Sequence, residues 1–280
     1  MSLLPGTNIS LIGNDFMEHN QFNGLATNYN KFRPAYPEQQ FQRVKDIMQN
    51  NCVDPNGVTL VLDVGSGTGI STRMLRRAFD KNIPIVGIEP GIDMLQHTVN
   101  FHDVSENLCY IRGTASSICF NDKTADLITT AQAIQWFDRP VFYIEAARVL
   151  KEGGVLAIVQ NNRSWEESPF LDKYEILLET YASDYSRDYR SFDIEAELSQ
   201  VKYFSLVSRY IEPWSRYMSG DEFIGMANSS TKYKSAVVHQ GAENMDDKLN
   251  MLIQEFLNNE NLLEIKYKSE LYIAVRNQMR

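Results

Sequence analysis

Glycines at 65, 67 and 69, directly after the apolar run Val58 to Val64, are the first residues able to do chemistry. Backbone without a Cβ can turn sharply there and let a ligand come close, and a helix opening after the loop would aim unpaired N–H groups at it. A dinucleotide fingerprint needs its third glycine at position 70, where Ile70 stands, and the Lys-Ser/Thr ending of a P-loop is missing. The spacing therefore counts against NAD and against nucleoside triphosphates. Glu89 follows the apolar run Ile85 to Ile88 and lies 20 residues beyond Gly69. A carboxylate at the end of that second strand can accept both hydrogens of a ribose diol.

The elements that must position these groups follow from periodicity. Short apolar runs, Val58 to Val64, Ile85 to Ile88, Leu108 to Ile111, Leu127 to Ala131 and Val155 to Val159, alternate with helical patterns over Ser71 to Phe79, Asp93 to Asn100 and Arg139 to Leu150. That rhythm predicts an α/β fold with a parallel sheet between helices, the last helix ending at Gly153 and Gly154. Ahead of it, residues 1–37 form an arm in which Pro34 and Pro37 hold the chain extended, and a helix carries Phe41, Val44, Ile47 and Met48 on one face. Residues 38–160 form the ligand-binding core. Residues 161–260 break the rhythm, are helical in pattern and rich in tyrosine, and are expected to be an insertion capping the site. Residues 261–280 return to strand pattern, with Leu262 to Lys268 and Glu270 to Arg276 expected to pair as a terminal antiparallel hairpin that completes the sheet.

With these elements placed, the motifs resemble those of class I S-adenosylmethionine-dependent methyltransferases. Leu62-Asp63-Val64-Gly65-Ser66-Gly67-Thr68-Gly69, Glu89-Pro90, Gly113-Thr114-Ala115 and Asp126-Leu127-Ile128 stand in that family's order. The resemblance implies a Rossmann-like, mostly parallel seven-stranded sheet. It also implies that the glycine loop, with Asp63, Gly65, Ser66, Gly67 and Thr68, cradles the methionine portion of the cofactor. Glu89, beside Pro90, would hold the ribose, and Thr114 and Ala115 would border the adenine. Tyr29-x-x-x-Arg33-Pro34-x-Tyr36-Pro37 and Ala131-Gln132-Ala133-Ile134-Gln135-Trp136-Phe137-Asp138 are similar to the small-molecule branch that contains trans-aconitate methyltransferases. That branch often carries His where Gln135 stands, and near the adenine Ser116 replaces an acidic side chain common after Ala115.

Tyr29, Arg33, Ala131, Gln132 and Trp136 are accordingly expected near the cofactor, and Gln135, Trp136 and Tyr29 are the candidates for the catalytic position. An amide is no general base at neutral pH, so catalysis would rest on positioning. Gly65, Gly67, Glu89, Thr114 and Gln132 should converge beyond the carboxyl ends of the strands. Asp63 could orient the loop or approach the cofactor ammonium. Arg163, Arg187, Arg190 and Arg216 lie in or beside the insertion, where a cation could meet an acidic acceptor, while each taken singly reads first as a solvated side chain.

Composition bounds the partners. A net charge of -9 without a dense basic block disfavours nucleic acid. Cys52, Cys109 and Cys119 lack metal or disulfide spacing, as do His19, His97, His102 and His239 for a metal site. No window is apolar and long enough for a membrane span and no leader pattern opens the chain, so the expected setting is cytoplasmic. The expected partner is a small-molecule methyl acceptor, with a methyltransferase of protein or RNA, or a non-catalytic cofactor-binding module, as the rival readings.

Overall fold

The computed structural model describes residues 22–50, 57–98, 107–183 and 185–278. The first part of the expected arm, with His19, lies outside the described residues, as do Cys52, Asn100 and His102. One sheet holds β1 (Val61–Val64), β2 (Ile85–Glu89), β3 (Leu108–Arg112), β4 (Ala125–Ala131), β5 (Leu150–Arg163), β6 (Phe204–Met218) and β7 (Leu263–Arg276). Their order is β3-β2-β1-β4-β5-β7-β6, with the first five parallel and β7 antiparallel to both of its neighbours. This is the mostly parallel seven-stranded α/β sheet of the Rossmann-like type, closed by an antiparallel pair.

Helices cover both faces because β1, β2 and β4 are buried at every position, which only a sheet packed on two sides requires. Alternate residues of β1 show the division. Leu62 and Val64 face a core shared with Phe142, Tyr143 and Ala146 of α5 (Arg139–Val149) and with Leu198 of α7 (Ile194–Gln200). Val61 faces the other core, with Phe41, Val44 and Met48 of α2 (Glu38–Asn50) and Met74 and Leu75 of α3 (Ile70–Ala78). Asp138 caps α5 by accepting from the Val141 amide, and Pro140 sits in its first turn.

The fold differs from expectation in three ways. Leu262 to Lys268 and Glu270 to Arg276 are not two strands of a hairpin; they are the single strand β7, continuous through the buried Ser269. Its outer antiparallel partner is β6, drawn from the segment expected to be helical, so 161–260 is not wholly an insertion. The helix ending also moves: α5 stops at Val149, and Gly153 uses its positive φ of 79° in a bulge of β5 opposite Asp126, where Lys151 binds that carboxylate at 2.8 Å.

Strands β5, β6 and β7 run for 14, 15 and 14 residues, far longer than the four of β1, and therefore project beyond the carboxyl ends of the others. On the projecting part packs a third core. It is built from α6 (Pro169–Tyr181), α8 (Gly220–Ala227), α9 (Thr231–Gln240) and α10 (Ala242–Phe256), with Phe170, Tyr174, Phe223, Tyr233 and Met245 at its centre. The arm helix α1 (Ala26–Phe32) lies against α8, its Phe32 packed on this same core. No helix among the described residues is long and apolar enough to cross a membrane.

Candidate active site

The loop after β1 is shaped by its glycines, all three with positive φ: 73° at Gly65, 56° at Gly67 and 82° at Gly69. Asp63, fully buried at the centre of β1, sets the helix that follows. It accepts from Ser71 Oγ and Thr72 Oγ1 at 2.6 Å each and from Thr129 Oγ1 at 3.1 Å, tying β1 to α3 and β4. Burial holds its pKa above the usual carboxylate range against the lowering effect of those three hydroxyls. Asp63 thus fastens the start of the helix behind the loop, and it is not among the residues on the cavity wall.

Glu89 ends β2 beside this loop. Its Oε2 accepts from the Gly67 amide at 2.9 Å and its Oε1 from the Gly91 amide at 2.8 Å. The side chain is buried, and burial raises its pKa to about 6 despite those two amides, with the charge of Asp63 adding to the rise. Between the ordinary glutamate value and about 6 the folded protein therefore holds a proton that the unfolded chain gives up. Stability from this group is present below that window and is lost as pH rises through it, by about 2 kcal/mol. The expected binding of a ribose diol at this carboxylate would have the opposite sign, since it needs the ionised acceptor. We expect cofactor affinity, measured by calorimetry from pH 7.5 to 5, to weaken below about pH 6, by up to about tenfold per pH unit. A Glu89→Gln protein with the same pH dependence would show that another group is responsible.

At the end of β4 the chain turns through Gln132, whose φ of 56° is unusual for a residue with a side chain. Gln132 Nε2 donates to the Asn161 carbonyl of β5, while its Oε1 is buried without a partner among the described residues, as is Ser66 Oγ of the glycine loop. Gln135 Nε2 donates to the Gln132 carbonyl at 2.9 Å, and its Oε1 accepts from Gln160 at 3.3 Å. Trp136 packs edge-on against Phe22 of the arm, ring centroids 5.4 Å apart. Opposite, Arg33 Nε donates to Ser229 Oγ at 2.8 Å and its guanidinium lies over the Tyr29 ring, which fastens the arm to the cap.

A cavity of about 640 Å³ joins these parts, within the size range of small-molecule sites. It brings together Tyr29, Arg33, Gly65, Ser66, Gly67, Glu89, Pro90, Ala131, Gln132, Gln135 and Trp136. Thr68, Thr114 and Ala115 do not reach its wall. Thr68 is buried beneath the loop, the Thr114 hydroxyl lies 3.1 Å from Ser116 Oγ in a small bridge to Ser117, and Ala115 packs on the core of the α5 face. Thr114, expected beside the glycines and Glu89, lies in the turn after β3, which folds back on itself through the bridge to Ser117. Among the arginines of the cap region, Arg163 pairs with Glu175 and Arg187 with Asp172 and Glu179. Arg216 meets the Phe32 carbonyl, and Arg190 donates to Asn162 Oδ1 at 2.8 Å. Ser229, Asn161 and Lys232 also line the cavity, and no local motif marks any of them in the sequence.

The site fits the cofactor that the glycine motif implies. A Cβ built on Gly67 meets nothing within 4 Å, so the loop faces open space there, with the Glu89 carboxylate beside it and the unpartnered Ser66 Oγ in the same loop. Residues 62–158 match the family model described as "Methyltransferase domain". A Dictyostelium discoideum protein named as a methyltransferase is 32% identical over 138 residues, covering 49% of this chain and 48% of that one. A Mycobacterium tuberculosis methyltransferase of uncharacterised role is 26% identical over 209 residues, covering 74% and 75%. The fold is shared with a solved structure described as a type II methyltransferase from Anaeromyxobacter dehalogenans, at 20% identity and a TM-score of 0.64, over 86% of this chain and 97% of the other. Residues 62–158 are thus matched to a methyltransferase domain, on a Rossmann-like fold whose site fits S-adenosylmethionine.

Proposed function

We propose that the chain methylates an oxygen of a small carboxylic acid, in the cytoplasm, as an enzyme of the branch that contains trans-aconitate methyltransferases. The observation that carries this reading is the cavity itself. It runs from the glycine loop to the cap and is roofed by the arm, which favours a small acceptor over a protein or RNA chain needing an open groove. The arm and β4 segments that line it, Tyr29 to Tyr36 and Ala131 to Phe137, are the ones that resemble that branch.

Bound S-adenosylmethionine supplies an electrophilic methyl carbon. Transfer of that methyl to an acceptor oxygen would leave the carbon–sulfur electron pair on sulfur, with Gly65, Gly67 and Glu89 as the residues that would hold the cofactor. An ionised carboxylate has no proton to lose, which agrees with a β4 terminus bearing Gln135 and Trp136, neither of which ionises near neutrality. The chain's part is then to orient the acceptor and exclude water.

Charge supports an acidic acceptor. Arg33, Arg190 and Lys232 line the cavity with no carboxylate within ion-pair distance among the described residues, whereas the wall acids Glu175 and Glu270 are taken by Arg163 and Arg209. Glu166 and Asp188 are the remaining wall acids beside Glu89, and both are solvent-exposed. The test is transfer of tritiated methyl from S-adenosylmethionine to a library of small acids, amines and phenols, and separately to total cell protein and RNA. Label in a base-labile ester of an acid is expected. Label confined to macromolecules, or to amines, would sink the reading.

A further inference from the structure

We infer that Lys232 is the residue through which the cavity selects an acidic acceptor, and that the buried Arg163–Glu175 pair positions it by holding Tyr185. The inference rests on the reading of a small acid as substrate and adds the side chains that recognise it.

Lys232 stands in the first turn of α9, its amide bound by the capping Ser230 at 3.2 Å, so its stem starts from a fixed point on the cap. The ammonium then lies among three rings, 5.0 Å from the Tyr189 centroid, 5.4 Å from Trp136 and 5.8 Å from Tyr185. Trp136 belongs to the cofactor domain and the two tyrosines to the cap, which places the charge between the two halves of the site. Ring faces attract a cation but do not neutralise it. Burial, with Arg190 nearby as a second positive charge, holds the Lys232 pKa below the ordinary lysine value. A half-buried cation beside another cation gains most from a ligand anion, and the cavity that both line is where such a ligand would sit. Arg190 contributes in the same place, since its Nη1 is taken by Asn162 while its Nε is buried without a partner among the described residues.

The cage is held from the far side. Glu175, buried on α6, accepts from Tyr185 Oη and from Arg163 Nη2, the latter at 2.8 Å. The Tyr185 ring in turn packs on Tyr189, centroids 5.7 Å apart. Glu175 touches no part of Lys232 directly and is a positioning residue, acting through Tyr185.

The measurement is initial-rate kinetics with tritiated S-adenosylmethionine on an acid that the wild-type chain methylates. Lys232→Met, Lys232→Arg and Tyr185→Phe are compared with it, and calorimetric cofactor titration serves as the folding control. Lys232→Met is expected to raise the acceptor KM about tenfold to a hundredfold, as for loss of a hydrogen-bonded charge partner, with cofactor affinity kept. Lys232→Arg should recover most of that loss. Tyr185→Phe, which keeps the ring and drops the bond to Glu175, should raise KM in the same direction by a smaller factor with kcat little changed. An unchanged acceptor KM in a Lys232→Met protein that still binds cofactor overturns the inference and leaves the acid reading standing. An unchanged KM in Tyr185→Phe overturns the positioning half alone. Failure of the wild-type chain to methylate any acid in the library overturns both together.

Discussion

Replacing Glu89 by Ala should weaken S-adenosylmethionine binding by about a hundredfold or more while leaving the sheet intact. A charged acceptor paired with a hydroxyl is worth roughly 1.5–3 kcal/mol per bond, and a ribose diol offers two such hydroxyls to one carboxylate. The same carboxylate accepts from the amides of Gly67 and Gly91, so its loss also frees the glycine loop that it braces. Two effects therefore act in one direction on binding. Their signs differ for folding: the apo protein is relieved of a buried charge whose pKa is raised to about 6, but gains two amides without their acceptor. Calorimetry separates them, since cofactor affinity should collapse in the variant while the apo melting temperature moves by only a few degrees. Glu89→Gln, which keeps one acceptor oxygen but turns an N–H donor toward one of the two backbone amides, should fall between Ala and wild type. Cofactor affinity equal to wild type in Glu89→Ala would remove Glu89 from the ribose and with it the orientation of ligand along the cavity.

The features on which this expectation stands were legible in the sequence because they are local. A glycine-rich turn between a buried strand and a helix, and an acid at the end of the next strand, are fixed by neighbours within a few residues. Gly65, Gly67 and Glu89 meet because parallel neighbours place consecutive strand ends side by side, so the pairing of β1 with β2 carries the spacing into space. What failed was non-local. Strand β6 has a burial pattern that is intermediate or exposed nearly throughout, as an edge strand paired on one side only, and contains Pro213. Such a segment lacks the continuous apolar run that marks the other strands, and its tyrosines and arginines blend into the helical cap. Strand β7 was divided because Lys268, Ser269 and Glu270 look like a turn; in the fold Ser269 is buried against the sheet and Glu270 reaches Asn162 and Arg209. Lys232 was invisible for the same kind of reason. A lysine in the first turn of a helix is ordinarily solvated, and it is the non-local approach of Trp136, Tyr185 and Tyr189 around the ammonium that distinguishes it.

The second large expectation contrasts two glycines of one loop. Gly65 has a φ of 73°, and a Cβ built on it would stand 2.6 Å from Ala133 Cβ and 2.9 Å from Phe137 Cζ. Ala133 is anchored in the buried turn after β4, and Phe137 packs against Phe142, so neither can withdraw cheaply. Gly65→Ala therefore combines left-handed strain with overpacking and should cost about 2–4 kcal/mol of stability, read as a lower melting temperature of the apo protein. Gly67 has a φ of 56°, yet its Cβ would meet nothing within 4 Å. Only the backbone strain, about 1–2 kcal/mol, should appear in the stability of Gly67→Ala. The new methyl group would instead occupy the space toward which the loop opens, beside the Glu89 carboxylate that the Gly67 amide binds. Cofactor affinity should then fall at least tenfold in Gly67→Ala, a larger change than its melting temperature alone would suggest. The pair thus separates two demands that one motif combines: Gly65 is required by the close approach of the turn after β4, and Gly67 by the approach of a ligand. Equal cofactor affinity in Gly67→Ala and wild type would mean that the open face of the loop is not where the cofactor lies.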